Sequence, residues 1–247
     1  MRLVDTHLHV VDPAFPLVAN QGFLPEPFTV ADYRARTAGL GVVGGAVVSG
    51  SFQAFDQGYL LAALELLGPG FVGVTQLPAD VPDAEVLRLD AAGVRAVRFN
   101  LRRGGSAPVG DLDRLARRVH DLAGWHAELY VDSRDLAELA PVLRRLPQVT
   151  VDHLGLHADG LPDLLDLVEH GAVVKATGFG RVELDVEAAV TAILAVDPRA
   201  LMAGTDLPST RASRPFADED LDLLGEAAGE HAEAVLEHNA RHLYRLP

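Results

Sequence analysis

Cysteine is absent from all 247 residues, which rules out disulfides, a thiolate nucleophile and zinc–thiolate sites. Basic residues are scarce: 21 Lys and Arg stand against 35 Asp and Glu, a formal net charge of −14. Nucleic acids and anionic membranes are polyanions that select for basic patches, so neither is an expected partner. Long apolar runs are missing too, and none reaches the length needed to span a bilayer. The first residues lack the basic region and apolar core of a secretory signal, so a soluble cytoplasmic protein is expected. No linker, low-complexity tract or internal repeat interrupts the chain, which reads as one domain over residues 1–247.

What is present is ordinary for a globular protein: 49% hydrophobic and 23% charged residues, in a chain long enough to bury a sizeable core. Short apolar, β-branched runs recur at even spacing. They predict eight strands at Leu3–Asp5, Gly45–Ser49, Phe71–Gln76, Val94–Asn100, Ala127–Asp132, Val149–His153, Ala172–Thr177 and Leu201–Asp206. Most are continuously apolar, as expected for parallel strands covered on both faces. Helical spacing falls between them, at Ala31–Gly39, Gly58–Leu67, Asp83–Ala92, Leu112–Ala123, Asp135–Leu146, Leu161–Glu169 and Glu187–Val196. The first is preceded by Thr29 with Asp32 three residues on, a capping box. Eight strands alternating with helices in this length is the arithmetic of a (β/α)8 barrel. The runner-up, a doubly wound open sheet, usually has fewer strands and a Gly-rich first turn. The Pro-rich stretch from Val11 to Phe28 is expected to form a loop over the barrel mouth.

Chemistry on such barrels gathers at the C-terminal ends of the strands. His7 and His9, two residues apart, share one face of an extended strand. A His-x-His pair alone is common by chance, so its meaning depends on what the other strand ends supply. Strand two runs into Ser49-Gly50-Ser51, and strand four ends in Arg98 and Asn100, followed by Arg102 and Arg103. Strand five ends in Tyr130 and Asp132, strand six in Asp152 and His153, and strand eight in Thr205 and Asp206; strand seven carries Lys175, with Arg181 shortly after. His7, His9, His153 and Asp206 can therefore converge. Imidazoles and a carboxylate suit one divalent ion such as zinc. Without metal, the same groups can polarise a carbonyl while the aspartate takes a proton from water. Arg98, Arg181 and one of Arg102 or Arg103 can gather guanidinium forks at the mouth, which suit a small anionic substrate. Their alternative is pairing with the chain's many acids. His120, His170, His231 and His242 fall in helical stretches, His126 opens strand five at the opposite barrel end, and His157 lies in a loop past strand six.

The motifs Asp5-Thr6-His7-Leu8-His9, Val151-Asp152-His153-Leu154-Gly155 and Gly204-Thr205-Asp206-Leu207-Pro208 resemble the amidohydrolase superfamily. The similarity is greatest to its amidohydrolase-related branch, which contains pyrone-dicarboxylate and sugar lactonases. Gly93 through Asn100, Gly124-Trp125-His126, Lys175 through Arg181 and Asn239-Ala240 through Tyr244 match in order, so the resemblance spans nearly the whole chain. It implies a distorted (β/α)8 barrel and a hydrolase. Asp206 would be the water-activating base, and His7, His9 and His153 would polarise the lactone carbonyl. Ser51, Arg98, Tyr130, Arg181 and Arg102 or Arg103 would hold substrate carboxylates, with the Ser51 match the loosest.

Two-metal relatives carry a bridging lysine or glutamate on strand four, and most relatives carry a histidine on strand five. Asn100 and Tyr130 stand at those ends here, so a binuclear site is not expected. Either no metal is needed or one zinc or manganese is held by His7, His9, His153 and Asp206. The leading expectation is a lactonase for a carboxylate-bearing lactone. Its alternatives are a mononuclear metal-dependent amidohydrolase acting on an amide, and a non-catalytic barrel that binds an anionic metabolite.

Overall fold

The computed structural model describes residues 2–247. Eight parallel strands pair in sequence order: β1 (Leu3–Leu8), β2 (Val42–Val48), β3 (Phe71–Thr75), β4 (Val94–Asn100), β5 (His126–Tyr130), β6 (Val149–Val151), β7 (Val173–Ala176) and β8 (Leu201–Ala203). The ring closes between β8 and β1 without a regular ladder. The Asp206 amide donates to His7 O (2.7 Å) and the His9 amide to Leu207 O (2.8 Å), just past the end of β8. The result is the expected (β/α)8 barrel, distorted at that seam.

Helices α1 (Val30–Thr37), α2 (Gly58–Leu67), α3 (Asp83–Ala91), α4 (Leu112–Ala123), α5 (Leu136–Leu143), α6 (Leu161–Glu169) and α7 (Val186–Val196) follow the predicted segments. The Thr29–Asp32 capping box closes the start of α1. Two further helices, α8 (Glu219–Ala228) and α9 (Asn239–Tyr244), were not predicted. The first three residues of α8 are Glu, Asp and Leu and Gly225 interrupts its apolar face; α9 is only six residues long and follows a π-turn at Ala234–His238. No helix among the described residues is long and apolar enough to cross a membrane.

Strand boundaries differ from the sequence pattern where function concentrates. β1 runs on through polar Thr6 and His7 to Leu8, every residue of it buried. β6 and β8 stop early, at Val151 and Ala203. Beyond them the backbone leaves the ladder: His153 (φ 52°), Leu154 (φ 52°), Leu156 (φ 72°) and Asp206 (φ 59°) are left-handed, a conformation that side-chain-bearing residues adopt at a cost of about 1–3 kcal/mol. Apolar periodicity cannot register such a turn, because it reports burial and not dihedral angle.

The helices pack Leu60, Leu89, Leu115, Leu164 and Ile193 onto the outside of the sheet. A second apolar group (Val4, Ala46, Val48, Val72, Val74, Ala96, Met202) is closed by Ala240 and Tyr244 of α9. β2 carries Gly44 and Gly45 because a Cβ there would lie 2.3 Å from Gly70 O and 2.5 Å from Asp5 O. Buried His126 opens β5 against Tyr244, ring centroids 5.4 Å apart, at the opposite end of the strand from Tyr130.

Candidate active site

His7, His9, His153 and Asp206 are all buried and converge at the C-terminal end of the barrel. Asp206 Oδ1 lies 3.9 Å from His7 Nε2, 3.7 Å from His9 Nε2 and 3.9 Å from His153 Nε2. Asp206 Oδ1 and His7 Nε2 make no hydrogen bond, although both are buried. Such orphaned atoms normally cost 1–3 kcal/mol each, so their convergence marks a place where something else binds. The other Asp206 oxygen is held by Arg181, through Nε (2.8 Å) and Nη2 (2.5 Å).

Partners on the far side of each imidazole set its direction. His9 Nδ1 meets the Val48 carbonyl at 2.7 Å; a carbonyl only accepts, so Nδ1 carries the proton and Nε2 presents a lone pair. His7 Nδ1 faces Asp152 Oδ1 at 3.3 Å and Glu128 Oε1 at 3.9 Å without a hydrogen bond to either, and two oxygens that only accept favour the proton on Nδ1. His153 Nδ1 meets Thr177 Oγ1 at 2.7 Å, where either atom can donate. Gly178 (φ +62°) lets the backbone pass close by: a Cβ there would lie 2.7 Å from His153 Nδ1 and 3.0 Å from Asp206 Oδ2.

Burial dominates the electrostatics. It drives His7 down to about 3 and holds His9 and His153 well below the usual imidazole range, so all three are neutral at pH 7. The same desolvation raises Asp206 to about 6, with Arg181 pulling in the opposite direction.

Beneath the histidines lies an ion network. Lys175 Nζ contacts Glu128 Oε2 at 2.5 Å and Thr6 O at 2.8 Å, and lies 3.7 Å from Asp152. Arg98 spends Nη2 on Asp152 (2.7 Å) and Nη1 on Ser49 O (2.7 Å). Against the cost of burial, His7, Arg98 and Lys175 hold the Asp152 carboxyl well below its usual range, while burial raises Glu128. Asp5, also buried, accepts from Thr205 N (2.8 Å), Thr205 Oγ1 (2.7 Å) and Tyr33 Oη (2.9 Å). It ties β1 to the segment that carries Asp206.

A small cavity opens above these groups, lined by His9, Ser51, Arg98, Arg103, Tyr130, His153, Arg181 and Asp206. An adjoining outer cleft shares Arg103, Tyr130 and Arg181 and adds Arg102 and His157. The sequence-predicted residues thus gather at one mouth, Arg103 at both levels and Arg102 only at the outer one. Arg98 and Arg181 line the inner cavity with donors already committed to Asp152 and Asp206. Residues missed from sequence are Arg211, which lines both spaces, and Glu128, which underlies His7. A glutamate two residues from both His126 and Tyr130 in a buried strand was the available signal for Glu128.

A single parallel β-barrel with a His-His-His-Asp centre at its C-terminal mouth is the architecture of a barrel hydrolase. Residues 4–246 match the amidohydrolase family model, and the chain belongs to the amidohydrolase family. A 2-pyrone-4,6-dicarboxylate hydrolase of Comamonas testosteroni is 34% identical over 157 residues, 62% of this chain and 51% of that protein, so the match spans about half of that relative. D-galactarolactone isomerase of Agrobacterium fabrum is 26% identical over 271 residues, 98% of this chain and 91% of that one. Among solved structures, a probable 2-pyrone-4,6-dicarboxylic acid hydrolase of Acinetobacter baumannii, with citric acid bound, superposes over 100% of both chains with a TM-score of 0.84 at 22% identity. That likeness shows the fold.

Proposed function

We propose that this chain hydrolyses a lactone, or a similar cyclic ester, that bears at least one carboxylate, with Asp206 as general base. The observation that carries this reading is the division of the Asp206 carboxylate: Oδ2 is clamped by Arg181, while Oδ1 is unbonded and faces three imidazole Nε2 atoms. A base needs an oriented, unoccupied oxygen within reach of water, and a binding barrel needs none.

Water held between Asp206 Oδ1 and the His9 Nε2 lone pair gives one proton to Asp206 as its oxygen bonds to the lactone carbonyl carbon. The tetrahedral oxyanion is met by donors of the mouth: Arg181, Tyr130 and Ser51, with Arg98 adding charge from below. The ring C–O bond then breaks, and the proton on Asp206 passes to the leaving oxygen. The open product is a hydroxy acid, or its keto tautomer, with one carboxylate more than the substrate. His7 and His9 thus orient water as acceptors, since their far-side partners and low proton affinity disfavour N–H donation there, while His153, whose Nδ1 meets Thr177 Oγ1, can present either a lone pair or an N–H. Ser51, Arg103, Tyr130 and Arg181 also face the substrate carboxylate, with Arg102 at the outer rim.

His7, His9 and Asp206 offer donor atoms close enough together, and of the right type, to hold a single zinc or manganese ion, and His153 Nε2 lies 3.9 Å from Asp206 Oδ1. Such an ion would supply Lewis acidity. This fit is what supports the second reading, a mononuclear metal-dependent amidohydrolase that cleaves an amide. Charge favours the metal-independent reading, because Arg181 already neutralises Asp206.

The test is a screen of carboxylated lactones, including those of the pyrone-dicarboxylate and galactarolactone type named for the relatives, run alongside metal analysis. Ring opening of a carboxylated lactone is expected. Tight carboxylate binding with no turnover across the panel would contradict the reading.

A further inference from the structure

Two buried amides near the barrel mouth, Gln53 and Gln76, are used by no step of the proposed reaction. Both hold the turn 50–54, which follows β2 and brings Ser51 to the inner cavity. Gln53 closes the turn on itself and onto β1: its Oε1 accepts from the Gly50 amide (2.7 Å) and its Nε2 donates to Val10 O (2.7 Å). Gln76, one residue past β3, reaches the turn from the neighbouring strand. Its Nε2 donates to Gly50 O (3.1 Å) and to Ala54 O (2.9 Å), so one amide group spans both ends of the turn. Gln76 Oε1 is buried and makes no hydrogen bond among the described residues. A bare buried acceptor costs stability, and an apolar side chain of the same size would fill the position without it. Stability alone therefore does not explain a glutamine here.

What the Gln76 amide restrains is strained backbone. Ala54 sits at φ 46° and ψ −117°, a conformation that glycine enters freely and that a Cβ opposes. Released from Gln76, Ala54 would relax to negative φ and loosen the turn from its C-terminal end. Two features of the site depend on the turn. Ser51 lies close against the loop after β4, where a Cβ on Gly105 would come within 2.8 Å of Ser51 O. Phe52 sets its ring against His9, edge-on, with centroids 6.3 Å apart. The loop after β1 adds one tie, the Val18 amide donating to Phe52 O (2.8 Å). Gln76 lines neither the inner cavity nor the outer cleft, so its effect on substrate passes through the turn.

We propose that Gln76 is a positioning residue for the reaction: its amide holds Ala54 in a strained conformation, and that restraint sets Ser51 and Phe52 at the reaction centre. The inference rests on the lactone reading for the role of Ser51 and goes beyond it in assigning the restraint.

Gln76→Met tests this, because it keeps the volume while removing both donors and the bare oxygen. Its thermal midpoint should change little, and its crystal structure should show Ala54 at negative φ. Its kcat/KM on a lactone found by the screen should fall by roughly 10–10²-fold. Ala54→Gly alone, which takes the same backbone conformation without strain, should raise the thermal midpoint and leave activity unchanged. Added to Gln76→Met, it should return most of the lost activity, which a merely structural role for Gln76 would not allow. Ser51→Ala combined with Gln76→Met should cost less than the product of the two single losses, because both act through one turn. Unchanged kcat/KM in Gln76→Met, positive φ retained at Ala54 in its structure, or a loss that Ala54→Gly leaves in place would overturn the proposal. A lowered midpoint in Ala54→Gly would do so without any Gln76 variant. Failure of the lactone screen, with Ala54 relaxed in the Gln76→Met structure, would overturn the reaction and leave the restraint standing.

Discussion

Arg181 grips Asp206 by two nitrogens, Nε at 2.8 Å and Nη2 at 2.5 Å, both on Oδ2, and leaves Oδ1 to the histidines. The pair orients the carboxylate and sets its proton affinity at the same time. Burial raises Asp206 to about 6, and Arg181 limits that rise.

A base must be unprotonated, so activity is predicted to be full above that value and to fall as pH drops through about 6. Removing the guanidinium with Arg181→Gln removes the opposing charge. The acid limb of the kcat/KM profile should then move up by roughly 1–2 units, because the ionised form loses its partner. An unmoved limb would separate Arg181 from the base.

Metal dependence is the second expectation to check. With Asp206 neutralised by Arg181, lactone opening should survive exhaustive chelation. Loss of turnover on chelation, restored by zinc or manganese, would favour the mononuclear amidohydrolase reading.

Lys175 is the cation buried beneath the site, bound to Glu128 and Thr6 O. Lys175→Met is predicted to cost about 3–5 kcal/mol in denaturant unfolding, because it leaves a buried acid without its partner. Combining it with Glu128→Gln should cost less than the sum of the two single changes. Strict additivity would show that the pair is not coupled.

Much of this architecture was legible in the sequence, for physical reasons that can be named. Continuous apolar runs located all eight strands, and His7, His9, His153 and Asp206 announced themselves as ionisable groups at strand ends. The early ends of β6 and β8 were not legible, because left-handed His153 and Asp206 leave no mark in hydropathy. Nor was the role of Arg98: its position at the mouth was readable, but its commitment to Asp152 depends on neighbours 54 residues apart in the chain. Arg211 was hidden for a related reason. It belongs to a loop with no periodicity, and only its contact with Asn20 and Phe23 shows that it reaches the mouth.

The central claim is that Asp206 Oδ1 takes the proton from water. Asp206→Asn keeps the size of the side chain and an oxygen for Arg181 while abolishing the base, so turnover of a carboxylated lactone should fall by about 10²–10⁴ with ligand affinity within a few-fold of wild type. Full turnover in that variant would contradict the account.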